Sequence, residues 1–189
     1  YLRYEIGLVG TKIVCAEGDC GACTVLKASY LNGRSSSFEA INSCIVTVAQ
    51  LDGCHIVTVE GLKICGELSP VQEAMVQCHA SQCGYCTPGF AVAITACLQK
   101  TRALDEQSVK NCLTGNLCRC TGYSPLIEAA LKVDPKSLPS LEAFYQSPQK
   151  RKDLKSQTAI PLHIQSGALQ FLAPTTLKEA LRLRRIHPN

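Results

Sequence analysis

The chain has 189 residues, a formal net charge of +4, 46% hydrophobic and 18% charged residues, the balance of a folded soluble protein with one or two small domains. Aromatic residues are scarce, and the basic residues are spread out except at Lys150, Arg151, Lys152 and Lys155. A nucleic-acid partner therefore has little support, and that cluster reads as a solvated linker. No apolar run approaches the roughly 18 to 20 residues of a membrane span, so no membrane partner and a cytoplasmic location are expected.

The only methionine is Met75, which leads us to expect a piece of a longer protein. Residues 1–6 read as the back half of an amphipathic helix. Cys15, Cys20 and Cys23, with Cys44 further on, then give C-x4-C-x2-C and a distant cysteine, the plant-type spacing for a 2Fe-2S cluster held by four thiolates. Gly18 and Gly21 stand where the backbone must fold tightly; both can take positive φ, so that successive N–H groups turn toward the sulfurs. A run of core cysteines, the plain alternative, predicts no particular spacing. Thr24 to Leu31 and residues 37–41 are strand-like and flank Asn32-Gly33, a dipeptide that favours a type I′ hairpin. Residues 55–59 alternate as another short strand. Small strands around one helix and a cysteine loop predict an α+β protein that opens with a β-grasp, ferredoxin-like 2Fe-2S domain over residues 1–62, its first strands lying ahead of Tyr1.

The period then changes. Ser69, Pro70 and Gln72 form a capping box with proline at the first helical position, and Val71, Ala74, Met75 and Cys78 follow at helical spacing. A Thr87-Pro88 cap opens a second helix with Phe90, Ala93, Ile94, Cys97 and Leu98 on one face. Val109, Cys112 and Leu113 mark a third that ends at Gly115, and a Ser124-Pro125 cap opens a fourth. This predicts an all-α four-helix bundle over residues 63–133. Cys78, Cys97 and Cys112 fall on apolar helical faces and read as packing, whereas Cys54 and Cys65 have no assigned role.

A second ligand set, Cys83 and Cys86 with Cys118 and Cys120, spans these helices. Spacing alone leaves zinc open, although the C-x-C arm is tighter than the usual zinc arm. A disulfide framework fits less well, because 13 cysteines are an odd number and no secretory segment is visible. Reduced thiols fit best. Cys86 and Cys120 both run into predicted helix N-termini, whose positive ends, with Arg119, favour added negative charge.

Residues 134–167 carry four prolines among serines, lysines and glutamines without sustained periodicity, and read as a linker. Thr176 to Glu179 is a capping box that opens a helix with Leu177, Ala180 and Leu181 on one face. His55, His79, His163 and His187 are isolated, and no nucleophile–base constellation stands out, so no catalytic residue is assigned.

Four stretches resemble the iron–sulfur region of the molybdenum hydroxylases, the xanthine dehydrogenase/oxidase family: Cys15-Ala-Glu-Gly-Asp-Cys-Gly-Ala-Cys-Thr-Val25, Asn42-Ser-Cys-Ile45, His79-Ala-Ser-Gln-Cys-Gly-Tyr-Cys-Thr-Pro-Gly89 and Gly115-Asn-Leu-Cys-Arg-Cys-Thr-Gly-Tyr123. The resemblance covers about the first 133 residues and is nearest to the small subunits of bacterial xanthine dehydrogenases. It implies that the second set also holds a 2Fe-2S cluster, with zinc the minor alternative. It also implies that Gln82 lies beside the molybdopterin cofactor of a large partner subunit, and that residues 168–189 begin an FAD-binding domain of the same chain. Electrons would pass from the molybdenum cofactor, where a purine is hydroxylated, through both clusters to FAD and NAD. Another molybdenum hydroxylase, acting on aldehydes or N-heteroaromatics, is the alternative; a zinc-stabilised interaction module is a further one. Val14 and Ser124 depart from the family's usual glycine and arginine.

Overall fold

A computed structural model describes residues 1–31, 34–101 and 104–188. Asn32-Gly33, the expected hairpin turn, lies outside the described residues. Strand β1 (Thr24–Leu31) pairs antiparallel with β2 (Arg34–Ser35), β3 (Glu39–Asn42) and β4 (Cys54–Val57). Between β2 and β3, Ser36 donates its N–H to Ser29 O at 2.7 Å, and its hydroxyl accepts the Ser29 N–H at 2.8 Å. Leu26 and Ala28 share one face of β1 and enter the main core, while Val25 is buried on the other.

Residues 1–6 form a single turn, closed by Glu5 N–H on Tyr1 O at 2.9 Å, and Gly7, at φ +80°, ends it.

The four expected helices are α1 (Pro70–Gln77), α2 (Thr87–Lys100), α3 (Glu106–Leu113) and α4 (Ser124–Lys132). Ser69 and Gln72 make the capping box in full, and Asp105 caps α3 by accepting the Ser108 N–H at 2.7 Å. Two expected caps are corrected. Thr87 is the first residue inside α2, with Cys86 at its N-cap, and the Thr87 hydroxyl meets Ser81 Oγ at 2.8 Å. Ser124 is likewise inside α4, behind Tyr123 at φ +71°. In both cases the following proline fixes the helix start, and the preceding loop supplies the turn.

Helix α2 is buried all round from Gly89 to Leu98, so it forms the axis of the fold rather than one wall. Leu26 and Val57 of the sheet, Phe38 just ahead of β3, and helix residues Phe90, Ile94 and Leu126 belong to one hydrophobic core. Cys97 and Cys112 were expected to be reduced packing residues; the structure joins them in a disulfide between α2 and α3, Cα atoms 6.0 Å apart. They stand at facing positions of two neighbouring helices, within the reach of that bond.

Segment 134–167 is more structured than its composition suggests. It holds α5 (Leu141–Tyr145), α6 (Pro148–Thr158) and β5 (Leu162–Ser166). Ser140 and Ser147 cap the two helices, and α6, which carries the basic cluster, buries nothing and so shows no apolar period. The segment straps the sheet to the bundle: Gln99 Nε2 donates to Pro139 O at 2.9 Å, Gln146 Nε2 to Ser36 O at 3.3 Å, and Tyr145 Oη to Gly61 O. Strand β6 (Leu169–Ala173) pairs with β5, and α7 (Leu177–Ile186) follows. Thr176 caps α7, but Glu179 turns to Arg182 instead of completing the box. No helix among the described residues is long and apolar enough to cross a membrane.

Candidate metal centres

The first loop leaves the N-terminal turn and returns to β1. Its neck is closed by Lys12 N–H on Ala22 O at 3.2 Å. Gly18 and Gly21 take φ of +84° and +70°, as their place in the loop requires, and Ala16 joins them at +58°. The Cys20 N–H reaches Cys15 Sγ at 3.4 Å. Cys44 arrives from the far end of β3, where Ser43 donates its hydroxyl to Cys23 O at 2.8 Å and Asn42 donates its amide to Gly18 O. These two anchors show in the sequence only as the polar neighbours of Cys44.

The four thiols of this set interact. N–H groups of Glu17 and then Cys20 hold the half-buried Cys15 thiol down at about 6. Burial, then the contact with Cys23, pushes Cys44 up to about 11.

The second loop pair is built on α2. Cys86 sits at the N-cap, Cys83 three residues earlier, and Cys118 and Cys120 arrive from the end of α3. Cys83 Sγ and Cys120 Sγ lie 3.5 Å apart, and the Cys86 thiol meets that of Cys118. Cys83 is held down chiefly by the Tyr85 N–H and then by Cys120, which the same contact raises. Burial and then Cys118 push Cys86 up to about 12, outweighing its place at the positive end of α2. Cys118 is lowered although burial opposes it, because the Thr121 hydroxyl and N–H both point at its sulfur, at 3.1 and 3.5 Å. Tyr123 Oη accepts the Cys118 N–H at 3.0 Å, and its ring packs edge-on against Phe90. Thr121 and Tyr123 therefore shape the site, a role their sequence places them near without showing.

The structure puts Cys15 beside Cys20 and Cys44 beside Cys23 in the first set, and Cys83 beside Cys120 and Cys86 beside Cys118 in the second, with peptide N–H groups directed at sulfur in both. Among the described residues no group of three or more His, Cys, Asp and Glu side chains converges as ligands of one metal ion. Gln82 is exposed beside Cys83, and Val14 is exposed at the neck of the first loop. The two loops also touch. Leu117 N–H donates to Cys20 O at 2.9 Å, and Lys12 Nζ stands 5.7 Å over the Tyr85 ring.

Residues 58–131 match the 2Fe-2S binding domain family, a span that contains the whole second set and begins after the first. That span is a 2Fe-2S binding domain by its family match. The chain is 44% identical over 133 residues to xanthine dehydrogenase 1 of Arabidopsis thaliana, covering 68% of this chain and 10% of that one. It is 33% identical to xanthine dehydrogenase of Drosophila subobscura, covering all of this chain and 17% of that one. The solved structure of quinoline 2-oxidoreductase from Pseudomonas putida 86 superposes with a TM-score of 0.60 at 34% identity, covering 82% of this chain and 81% of the matched one. The chain belongs to the xanthine dehydrogenase family of molybdenum hydroxylases, a family of oxidoreductases, and spans about a tenth to a sixth of the length of these dehydrogenases.

Proposed function

We propose that the chain is the iron–sulfur electron-transfer part of a molybdenum hydroxylase and that each four-cysteine set holds one 2Fe-2S cluster. Cys15, Cys20, Cys23 and Cys44 would hold the first, and Cys83, Cys86, Cys118 and Cys120 the second. Such a cluster accepts and releases one electron at a time without binding substrate. The observation that carries this reading is the pairing of two thiol sets on loops that touch through Leu117 and Cys20.

The chain's residues supply three things. Glu17, Cys20, Tyr85 and Thr121 direct N–H groups at the sulfurs and favour thiolates. Loop contacts hold the sets side by side. Exposure of Cys83 and Cys120, against burial of Cys20 and Cys23, gives the second set the outward face. On that face Gln82 would meet a large molybdopterin-binding subunit or domain, so electrons would enter at the second set and leave from the first toward FAD and NAD. The flavin domain would follow from residue 168, after a ferredoxin-like unit at 1–62, a helical unit at 63–133 and the strap at 134–167, in the manner of a bacterial xanthine dehydrogenase small subunit in the cytoplasm. Purine hydroxylation is the substrate reading favoured by the dehydrogenase relatives; the quinoline 2-oxidoreductase likeness favours an N-heteroaromatic instead.

Iron and acid-labile sulfide analysis with a visible spectrum tests the assignment. Brown protein with iron and sulfide in equal amounts supports it, and a colourless, zinc-loaded protein overturns it.

A further inference from the structure

Asn116 belongs to neither thiol set, yet its buried amide joins the two loops. Only 8% of the residue is exposed. Its Nδ2 donates to Gly21 O at 3.0 Å and to Thr24 Oγ1 at 3.3 Å, and the Thr24 hydroxyl donates to Gly21 O at 2.6 Å. Gly21 O can only accept, so it fixes which end of the amide faces it. The Asn116 N–H is tied back to Leu113 O at 3.0 Å, at the end of α3. The residue is therefore anchored in the helices by its backbone and grips the first loop by its side chain.

The backbone around it leaves no slack. A Cβ on Gly21 would overlap Gly115 O and the Asn116 amide, and a Cβ on Gly89 would overlap Gly21 O. Gly21 follows Cys20 directly, and Asn116 stands two residues before Cys118, so the clamp acts on the chain beside a ligand of each set.

We propose that Asn116 is a positioning residue that fixes the distance and orientation between the two thiol sets, and so sets the electronic coupling between the groups they hold. The proposal rests on the two-cluster reading above. Leucine or serine could fill the space, but neither offers two N–H donors to two oxygens 95 and 92 residues away in sequence. Aspartate has the same shape and offers only acceptors, so it repels Gly21 O.

The test is low-temperature electron paramagnetic resonance on the fully reduced, full-length holoenzyme. Two nearby paramagnets split each other's signals, and the splitting falls steeply with their separation. Asn116→Ala is expected to keep both cluster signals at full intensity with a narrowed splitting, and Asn116→Asp to lose the splitting. Thr114→Ala, at the same end of α3 with its hydroxyl on Asn111 O at 2.9 Å, is expected to leave it unchanged. If the Asn116 variants do not accumulate as holoenzyme, Thr24→Val, which removes one acceptor and keeps the shape, is expected to narrow the splitting. Unchanged splitting in both Asn116 variants, or in Thr24→Val where those do not accumulate, overturns the proposal, as do two unsplit signals in the unmodified enzyme. Absence of two cluster signals from the unmodified enzyme refutes the two-cluster reading itself, and the proposal with it.

Discussion

Phe90 donates its backbone N–H to the Cys86 carbonyl at 3.1 Å, which places a member of the second thiol set at the mouth of the central helix. An anionic group held there lies at the positive end of α2 and gains stability on taking another electron. Arg119, between Cys118 and Cys120, adds a positive charge to the same side. Arg119→Gln is therefore expected to lower the potential of the second centre by tens of millivolts, the order that a tenfold or smaller change in a one-electron equilibrium gives, and to leave the first centre unchanged. Thr87→Ala is expected to leave both potentials unchanged, because its hydroxyl faces Ser81 and caps nothing. A redox titration with resonance detection of each centre checks both.

Gly89→Ala sets two effects against each other. Alanine inside a helix gains about 1 kcal/mol over glycine, whereas overpacking costs about 1–3 kcal/mol. Here the new Cβ would meet backbone, Gly21 O, which cannot rotate away. Overlap should win, so chemical denaturation is expected to show a less stable protein. Gly122→Ala, with nothing near its Cβ but φ +66°, is expected to cost only about 1–2 kcal/mol of left-handed strain.

Sheet and helices share one core, so they are expected to unfold together. Phe38 is 1% exposed and packs edge-on against His55 and Tyr145 at 5.5 and 6.2 Å. Phe38→Ala is expected to cost about 3–5 kcal/mol and to lower the protection of α2 amides along with those of β1. Hydrogen exchange in which α2 keeps its full protection would show that the helices stand alone.

Acid should weaken the strap at His55. Burial, and then the Lys150 ammonium, hold this imidazole below its ordinary pKa of 6.5. The unfolded chain then binds a proton more readily than the folded one, so stability is complete above about 6.5 and falls as pH drops toward the lowered folded value. Thermal unfolding from pH 7.5 to 5.5 is expected to show a falling midpoint, less steep in His55→Gln. Parallel slopes for the two proteins would remove His55 as the cause. Carboxylates held low, such as Glu60, contribute only at more acid pH: burial raises it, but the Thr58 hydroxyl and Gly10 N–H outweigh that.

The parts legible in the sequence were those that local chemistry determines. The spacings of Cys15, Cys20 and Cys23 and of Cys83 and Cys86, the box at Ser69 and Gln72, and the glycines at 18 and 21 each need only their near neighbours. Thr87 and Ser124 misled because a hydroxyl before proline imitates a cap, while the loop geometry at Cys86 and Tyr123 had already started the helix. Helix α6 has no buried side and so no period to read. The Cys97–Cys112 pair depends on which helices face each other, and the role of Asn116 depends on partners more than 90 residues distant, which no local pattern encodes.

The central claim is that two separate clusters are held by the two thiol sets. Resonance spectra of reduced Cys20→Ser and Cys118→Ser proteins test it most directly. Each substitution is expected to abolish one of two distinguishable 2Fe-2S signals and to halve the iron, leaving the other signal in place. If either substitution removed both signals from a protein that remained folded, or if neither removed any, the assignment of one cluster to each set would be wrong.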